Sequence, residues 1–321
     1  MLSTVIPVYN EVESLRQLFD ELDTVAAEHG YDLEIIFVDD GSTDGSWEVI
    51  QDLTRQDDRV RGIRFRKNFG KAAALSAGFG IARGEFVLTL DADLQDDPRE
   101  IPRFLEVIDT GVDVVSGWKQ TRHDPWHKVG PSRVFNWLVS KLTGVRLHDH
   151  NCGFKCYRSE IFKEVRLYGE LHRFVPVLAA AKGWKVGELI VNHRPREHGV
   201  SKYGLKRFVK GFLDLLTVYF LTGFDQRPQH LLGTLGILSF LAGWVGLSYL
   251  AMYWVLAQMY PDWGLAPLHQ RPAVIYSMGA LLLGSQLMSV GFLAELFTAY
   301  YGREHMPYSI AEVTHRDDKS P

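Results

Sequence analysis

Two stretches of the chain, residues 231–261 and 272–294, contain no charged side chain. Each is longer than the roughly 20 residues a helix needs to cross the hydrocarbon core of a bilayer. Lipid tolerates backbone only as helix or closed barrel, so the pair reads as a transmembrane hairpin with helices near 231–258 and 273–300. No earlier stretch has this character. The chain therefore divides into a globular domain over 1–200, a juxtamembrane segment over 201–229, the hairpin over 230–301 and a tail over 302–321.

Cations are spread unevenly around the hairpin. Lys202, Lys206, Arg207, Lys210 and Arg227 precede it, Arg271 alone lies in the connecting loop, and Arg303, Arg316 and Lys319 follow. The positive-inside bias puts the globular domain and both termini in the cytoplasm, at the inner membrane. Residues 203–224 mix Lys and Arg with Phe, Leu and Tyr at helical spacing, which predicts a helix lying in the bilayer interface. Small residues line one face of each apolar run: Gly236, Ser239, Gly243 and Gly246, then Ser277, Ala280, Gly284 and Gly291. That spacing suits close packing within the hairpin or between subunits, and it leaves a homo-oligomer open. Glu295 is expected to snorkel to the interface.

The globular part carries other signals. A net charge of -4 lacks the basic excess of a nucleic-acid binder. Cys152 and Cys156 are too few for a disulfide framework or a zinc site and read as reduced packing residues. Residues 2–7 begin directly as a strand, without the basic and apolar regions of a signal peptide. Strands are expected at 3–8, 33–38, 60–64, 86–90, 112–116 and 186–191. Helices fall between them, one from Ser14 to Gly30, one over 98–110 and one over 171–182. Such alternation predicts an α/β fold with a mostly parallel sheet, an architecture that binds nucleotides at its strand ends. Residues 78–84 carry the glycines of a dinucleotide fingerprint at the wrong spacing, and no Walker A run exists.

Polar residues gather at those strand ends. The first strand runs into Pro7-Val8-Tyr9-Asn10-Glu11, and the second into Asp39-Asp40-Gly41-Ser42-Thr43-Asp44-Gly45-Ser46. A carboxylate at the second tip suits a base N–H or a ribose hydroxyl, and the same segment can cap the helix that follows. The fourth strand opens into Asp91-Ala92-Asp93-Leu94-Gln95. Side chains two apart in an extended segment point the same way, so Asp91 and Asp93 offer oxygens to one divalent cation, with Gln95 a third ligand. Such a cation would clamp a diphosphate. A solvated Asp-rich turn is the plainer reading of the motif taken alone. Two basic stretches follow. In 119–133, Arg122 and Arg133 stand out because guanidinium forks match phosphate oxygens. In 193–204, Arg196 and Lys202 suit phosphate as a fork and a point charge, while Lys206, Arg207 and Lys210 suit lipid headgroups.

Taken in order, the blocks 5–11, 38–46, Asn68-Phe69-Gly70-Lys71 and 91–95 resemble the inverting family 2 glycosyltransferases of the GT-A fold. The resemblance is nearest to the polyprenyl-phosphate branch, that of the dolichol-phosphate mannose synthases and bactoprenol glucosyltransferases, and it extends to the C-terminus. It implies a nucleotide-sugar donor held by Pro7, Tyr9, Glu11, Asp39, Asp40, Lys71, Asp91, Ala92, Arg196 and Lys202. It also implies Mg²⁺ or Mn²⁺ at Asp91, Asp93 and Gln95, and an acceptor phosphate at Arg122, Ser132 and Arg133. Asp149, in the block 149–155, resembles a residue that positions the acceptor or assists its deprotonation; with Asp93 and Arg133 it completes the implied catalytic set. The implied reaction moves a hexose from UDP-glucose or GDP-mannose to a polyprenyl phosphate, with inversion, giving a lipid-linked sugar for later glycan or glycolipid modification. A flippase is an implied partner. Two rivals stand beside this reading. A processive polysaccharide synthase would carry a Gln-x-x-Arg-Trp segment, which is absent. An inert membrane adaptor would keep the fold and recruit other proteins.

Overall fold

The computed structural model describes residues 1–120, 126–165, 171–195, 206–223, 228–264 and 267–301. The chain falls into two compact units, Met1–Gly223 and Phe224–Pro321. In chain order the first begins β1 (Leu2–Val8), α1 (Leu15–His29), β2 (Leu33–Asp39), α2 (Ser46–Gln56), β3 (Val60–Arg64), α3 (Lys71–Ile81) and β4 (Phe86–Thr89). It continues with α4 (Ile101–Asp109), β5 (Val114–Trp118), α5 (Trp126–Thr143), β6 (Lys155–Arg158), α6 (Ile161–Glu164), α7 (Val175–Ala181), β7 (Val186–Ile190) and α8 (Lys206–Gly223).

The strands form one sheet in the order β3-β2-β1-β4-β6-β5-β7. Every pairing is parallel except those of β6, which runs antiparallel to β4 on one side and β5 on the other. The chain thus has the GT-A-like α/β architecture with a mostly parallel sheet. β6 was not anticipated, because Lys155-Cys156-Tyr157-Arg158 is short and charged at both ends. Its pattern makes sense only in place, with Cys156 facing one core and Tyr157 the other. β5 starts two residues later than its apolar run suggests. Asp113 accepts from Arg158 Nε at 3.2 Å and from Lys185 N–H at 2.9 Å, an edge tie that precedes the strand ladder.

Both faces of the sheet are covered. Leu15, Leu18, Leu22 and Val25 repeat along one side of α1 and pack with Ile50 of α2 and Phe104 of α4 against Ile6, Val8 and Phe37. Gly30, at φ 66°, ends α1 in a left-handed cap. On the other face α3 lies close to β1, since a Cβ at Gly78 would come 2.3 Å from Val5 Cγ1. Of the glycines that mimic a dinucleotide fingerprint, Gly78 and Gly84 are therefore packing residues, Gly84 lying against β1 where a Cβ would come 2.6 Å from Ser3 N. A further layer joins α5, α7 and α8 through Phe174, Val139, Val177, Leu215 and Val218. The predicted interfacial helix is α8, which buries Leu215 and Val218 here while Phe212 and Leu213 stay exposed.

The second unit holds α9 (Pro228–Met259) and α10 (Ala273–Tyr301), both long and apolar enough to cross a membrane. Only 17% and 11% of their most apolar windows is buried in the protein, so they are not core helices of a soluble fold. Their small residues face each other. A Cβ at Gly243 would lie 2.4 Å from Leu281 N, and one at Gly284 would lie 2.3 Å from Phe240 N. Ser239 Oγ donates to Ala280 O at 2.8 Å. The small-residue stripe is accounted for within the hairpin. Glu295 Oε2 lies 3.4 Å from Gln229 N, where a carboxylate complements the N-terminus of α9.

Candidate active site

The tips of β1 and β2 are stitched together by side chain to backbone hydrogen bonds. Asn10, at φ 54°, accepts from Thr43 N–H at 2.8 Å and donates its own N–H to Ser42 Oγ at 2.9 Å. Asp44 accepts from Val12 N–H at 3.1 Å and Ser46 N–H at 3.0 Å. Asp39 is fully buried; Oδ1 accepts from Ser42 N–H at 2.9 Å, while Oδ2 has no hydrogen bond and faces Arg64 Nε at 3.5 Å. Asp40 clamps the next loop, Oδ1 accepting from Phe69 N–H at 2.6 Å and Oδ2 from Gly70 N–H at 2.9 Å. Burial raises its carboxyl above the usual range despite those two bonds. Gly41, at φ 73°, lets this loop pass, because a Cβ there would sit 2.6 Å from the Lys67 carbonyl carbon. Pro7 and Glu11 are half-buried and Tyr9 is exposed along the same rim.

β4 stops at Thr89, and 91–95 is a turn, not the extended segment expected. Leu94 is the cause. It takes φ 59° while burying its side chain, a left-handed state that costs a leucine about 1–2 kcal/mol. Asp93 Oδ1 accepts from Gln95 N–H at 3.2 Å across this bend, and Ala92 O accepts from Ser14 Oγ at 2.6 Å. Gln95 consequently turns its amide toward His193 and Arg194 O, each 3.4 Å away. Asp91 is held from two sides. Lys71 Nζ, from the first residue of α3, pairs with its Oδ1, and Gly153 backs it so closely that a Cβ would lie 2.7 Å from Oδ2. Burial would raise the Asp91 carboxyl, but Lys71 and Lys119 outweigh it and hold the group well below the carboxylate range.

Several residues here escaped sequence reasoning. Lys119, at the end of β5, pairs with buried Asp96 at 2.9 Å. Arg194 bridges Asp97 at 2.6 Å and Glu21 at 2.7 Å, tying the chain after β7 to α1. Lys155 is almost wholly buried and donates to the carbonyls of Cys152 and His150. Burial pushes its ammonium down to about 8. His172, in the short turn before α7, is driven well below its usual range by burial and by Lys71. Apart from those of Lys155, which stay within its own loop, these are contacts between distant segments, and no local period announces any of them.

The block 149–155 is braced from α5 and β7. Glu188 accepts from His148 N–H at 2.8 Å and Asp149 N–H at 3.1 Å, and Asn136 Nδ2 donates to His148 O at 2.8 Å. Asp149 is buried, its Oδ1 accepting from Asn151 N–H at 3.1 Å. Arg133 and Ser132 lie one turn from Asn136 on α5; Arg133 is exposed and Ser132 half-buried. Burial pushes the Cys152 thiol up to about 12, and Cys152 and Cys156 are both free. Arg122, Arg196 and Lys202 fall outside the described residues.

The sequence model of "Glycosyl transferase family 2" matches residues 3–166, covering β1 to α6 with the strand-end residues of β1, β2 and β4. The chain is a family 2 glycosyltransferase. Its relatives extend past that domain. A dodecaprenyl-phosphate galacturonate synthase of Rhizobium johnstonii is 36% identical over 100% of this chain and 90% of its own length. An undecaprenyl-phosphate 4-deoxy-4-formamido-L-arabinose transferase of Edwardsiella ictaluri is 35% identical over 94% of this chain and 89% of its own. Among solved structures, glucosyl-3-phosphoglycerate synthase from Mycobacterium tuberculosis, crystallised with Mn²⁺, UDP and phosphoglyceric acid, aligns with a TM-score of 0.53. That match is 16% identical and covers 69% of this chain and 78% of the other, a likeness of fold.

The residues of this glycosyltransferase fit a divalent cation. Among the described residues no three His, Cys, Asp or Glu converge on one point, so an all-protein cage is not offered. Mg²⁺ and Mn²⁺ at nucleotide sites use one or two carboxylates and complete their shell with phosphate oxygens and water. Asp91 and Asp93 are the carboxylates of this turn, and the ammonium of Lys71 already stands on one Asp91 oxygen.

Proposed function

We propose that this glycosyltransferase moves one sugar from a nucleotide-diphosphate sugar to a polyprenyl phosphate at the cytoplasmic face of the membrane, inverting the anomeric centre. The observation that carries the reading is the full-length likeness to two transferases named for dodecaprenyl and undecaprenyl phosphate. The two apolar helices give the same reason in physical terms, since a lipid acceptor stays in the bilayer.

The chemistry needs little acid or base work. A phosphate monoester has a second pKa of about 6 and is already largely dianionic at neutral pH, so its oxygen attacks the anomeric carbon as the bond to the donor diphosphate breaks. Asp149, buried and accepting from Asn151, braces the acceptor block in this reading. Arg133 and Ser132 on α5, with Arg122, hold the acceptor phosphate. Pro7, Tyr9, Glu11, Asp39 and Asp40 line the donor's nucleoside side, Asp40 through the loop it clamps. Lys71, Ala92, Arg196 and Lys202 face the diphosphate. Mg²⁺ or Mn²⁺, held by Asp91 and Asp93 with Gln95 nearby, would offset the charge of the leaving diphosphate. The lipid-linked sugar is then a substrate for a flippase that turns its headgroup across the membrane.

Transfer of labelled sugar into organic-extractable lipid tests this. Purified protein and undecaprenyl phosphate would be offered UDP-glucose, GDP-mannose and UDP-galacturonate separately, with Mn²⁺ and then with EDTA. Label from one donor, lost with EDTA and in Asp93→Ala, is the expected result. Nucleotide binding without label from any donor, and biological activity retained in Asp93→Ala, would replace the enzyme reading with that of an adaptor.

A further inference from the structure

The Lys71–Asp91 pair sits badly for a permanent salt bridge. Lys71 opens α3, where the helix field disfavours a cation and favours an anion. Its backbone has little freedom to leave. Gly70 just before it is fixed by Asp40 at 2.9 Å, and the loop behind rests on Gly41 with no room for a Cβ. Asp91 cannot retreat either, because Gly153 fills the space behind its carboxylate. The neighbouring cation, Lys119, acts on this carboxylate from a distance, its own salt bridge being to Asp96 at 2.9 Å. The Lys71 ammonium thus stands directly on the carboxylate oxygen that a metal ion would use, and both side chains are about two-thirds covered, with exposures of 28% and 33%.

A divalent cation placed on Asp91 beside this ammonium meets strong like-charge repulsion at low effective dielectric. Metal alone should therefore bind weakly. A diphosphate changes the balance, because it offers the ammonium new oxygens at a helix N-terminus suited to anions. We infer that Lys71 is an exchangeable counter-ion of Asp91: it holds the carboxylate until the donor's diphosphate draws it away, so that metal and donor bind as a coupled pair. The inference rests on the metal reading proposed above. Its consequence is protective: Asp91 stays in place without recruiting free metal.

The test is a titration of Mn²⁺ into the full-length protein in detergent, followed by electron paramagnetic resonance, alone and with UDP or GDP. Wild type, Lys71→Met, Lys71→Arg and Asp93→Ala would be compared. Lys71→Met should bind Mn²⁺ alone about tenfold more tightly than wild type. By linkage, the tightening of Mn²⁺ by nucleotide should shrink by a similar factor. Lys71→Arg, which keeps the charge, should behave as wild type and so excludes a general loss of folding. Unchanged or weaker Mn²⁺ binding in Lys71→Met, in a wild type that does respond to nucleotide, would make the pair a fixed bridge and overturn the inference. If wild type takes up no Mn²⁺ with or without nucleotide, or Asp93→Ala binds it as wild type does, the metal reading itself is lost.

Discussion

Gly153 shows how one missing side chain can serve a reaction. It belongs to the block that resembles an acceptor motif, yet its tightest neighbour is Asp91, the carboxylate proposed above for the donor side, while its carbonyl accepts from Thr89 Oγ1 at 2.7 Å. The two halves of the site meet there with no atom to spare. Gly153→Ala would put a methyl group 2.7 Å from Asp91 Oδ2, and the pinned carboxylate would have to turn away from both Lys71 and a metal. Displacements of this size cost catalysis about 10- to 100-fold. We expect transfer to fall by that factor in Gly153→Ala, with the melting temperature changed by only a few degrees, measured by labelled-lipid assay and thermal shift. Wild-type activity in this variant would show that Asp91 does not need its present position.

Among the elements, the helical hairpin makes the sharpest distinction between packing and exposure. Gly284 and Gly279 are both small residues in α10, but a Cβ at Gly284 would collide with Phe240 N at 2.3 Å, whereas one at Gly279 would meet nothing within 4 Å. Gly284→Leu should therefore separate the helices, with overpacking of at least about 1–3 kcal/mol, while Gly279→Leu should be silent. Yield of folded protein in detergent and its melting temperature would report both; equal effects would mean the helices do not pack as described. The same elements show what a sequence can reveal. α1 repeats apolar residues on one face, and α9, α10, β1 and β2 are nearly continuous apolar runs, so their local patterns identify them. β6 has four residues and gains its meaning from β4 and β5 on either side. The strand-end carboxylates were legible for the same reason as the strands that carry them. Lys119 with Asp96 and Arg194 with Asp97 and Glu21 were not, because each pairing depends on how separate segments come together; Lys155 was not, because its burial depends on the sheet around β6. The bend at Leu94 was hidden too, since leucine is not a residue that signals a left-handed turn.

For the whole molecule, the proposed reaction requires a particular orientation, because nucleotide sugars are made in the cytoplasm and a domain facing the other way would meet no donor. The cation distribution favours the domain and both termini inside, with the loop between α9 and α10 outside. That loop carries Asp262, Trp263 and Arg271, the last lying 3.7 Å over the ring of Tyr253. A lone arginine stacked on an aromatic ring is a weaker retention signal than the five cations ahead of the hairpin, so the loop is free to cross. The native thiols do not interfere with a labelling test, because Cys152 and Cys156 are at most 2% exposed. Single cysteines at the exposed positions Asp262→Cys and Asp58→Cys would be treated with a membrane-impermeant maleimide in intact cells and again after permeabilisation. Asp262→Cys should react in intact cells and Asp58→Cys only once they are opened. The reverse pattern would place the domain away from its donor and remove the basis for transfer at the cytoplasmic face, whereas labelling of neither before opening would mean that the hairpin enters the bilayer without crossing it.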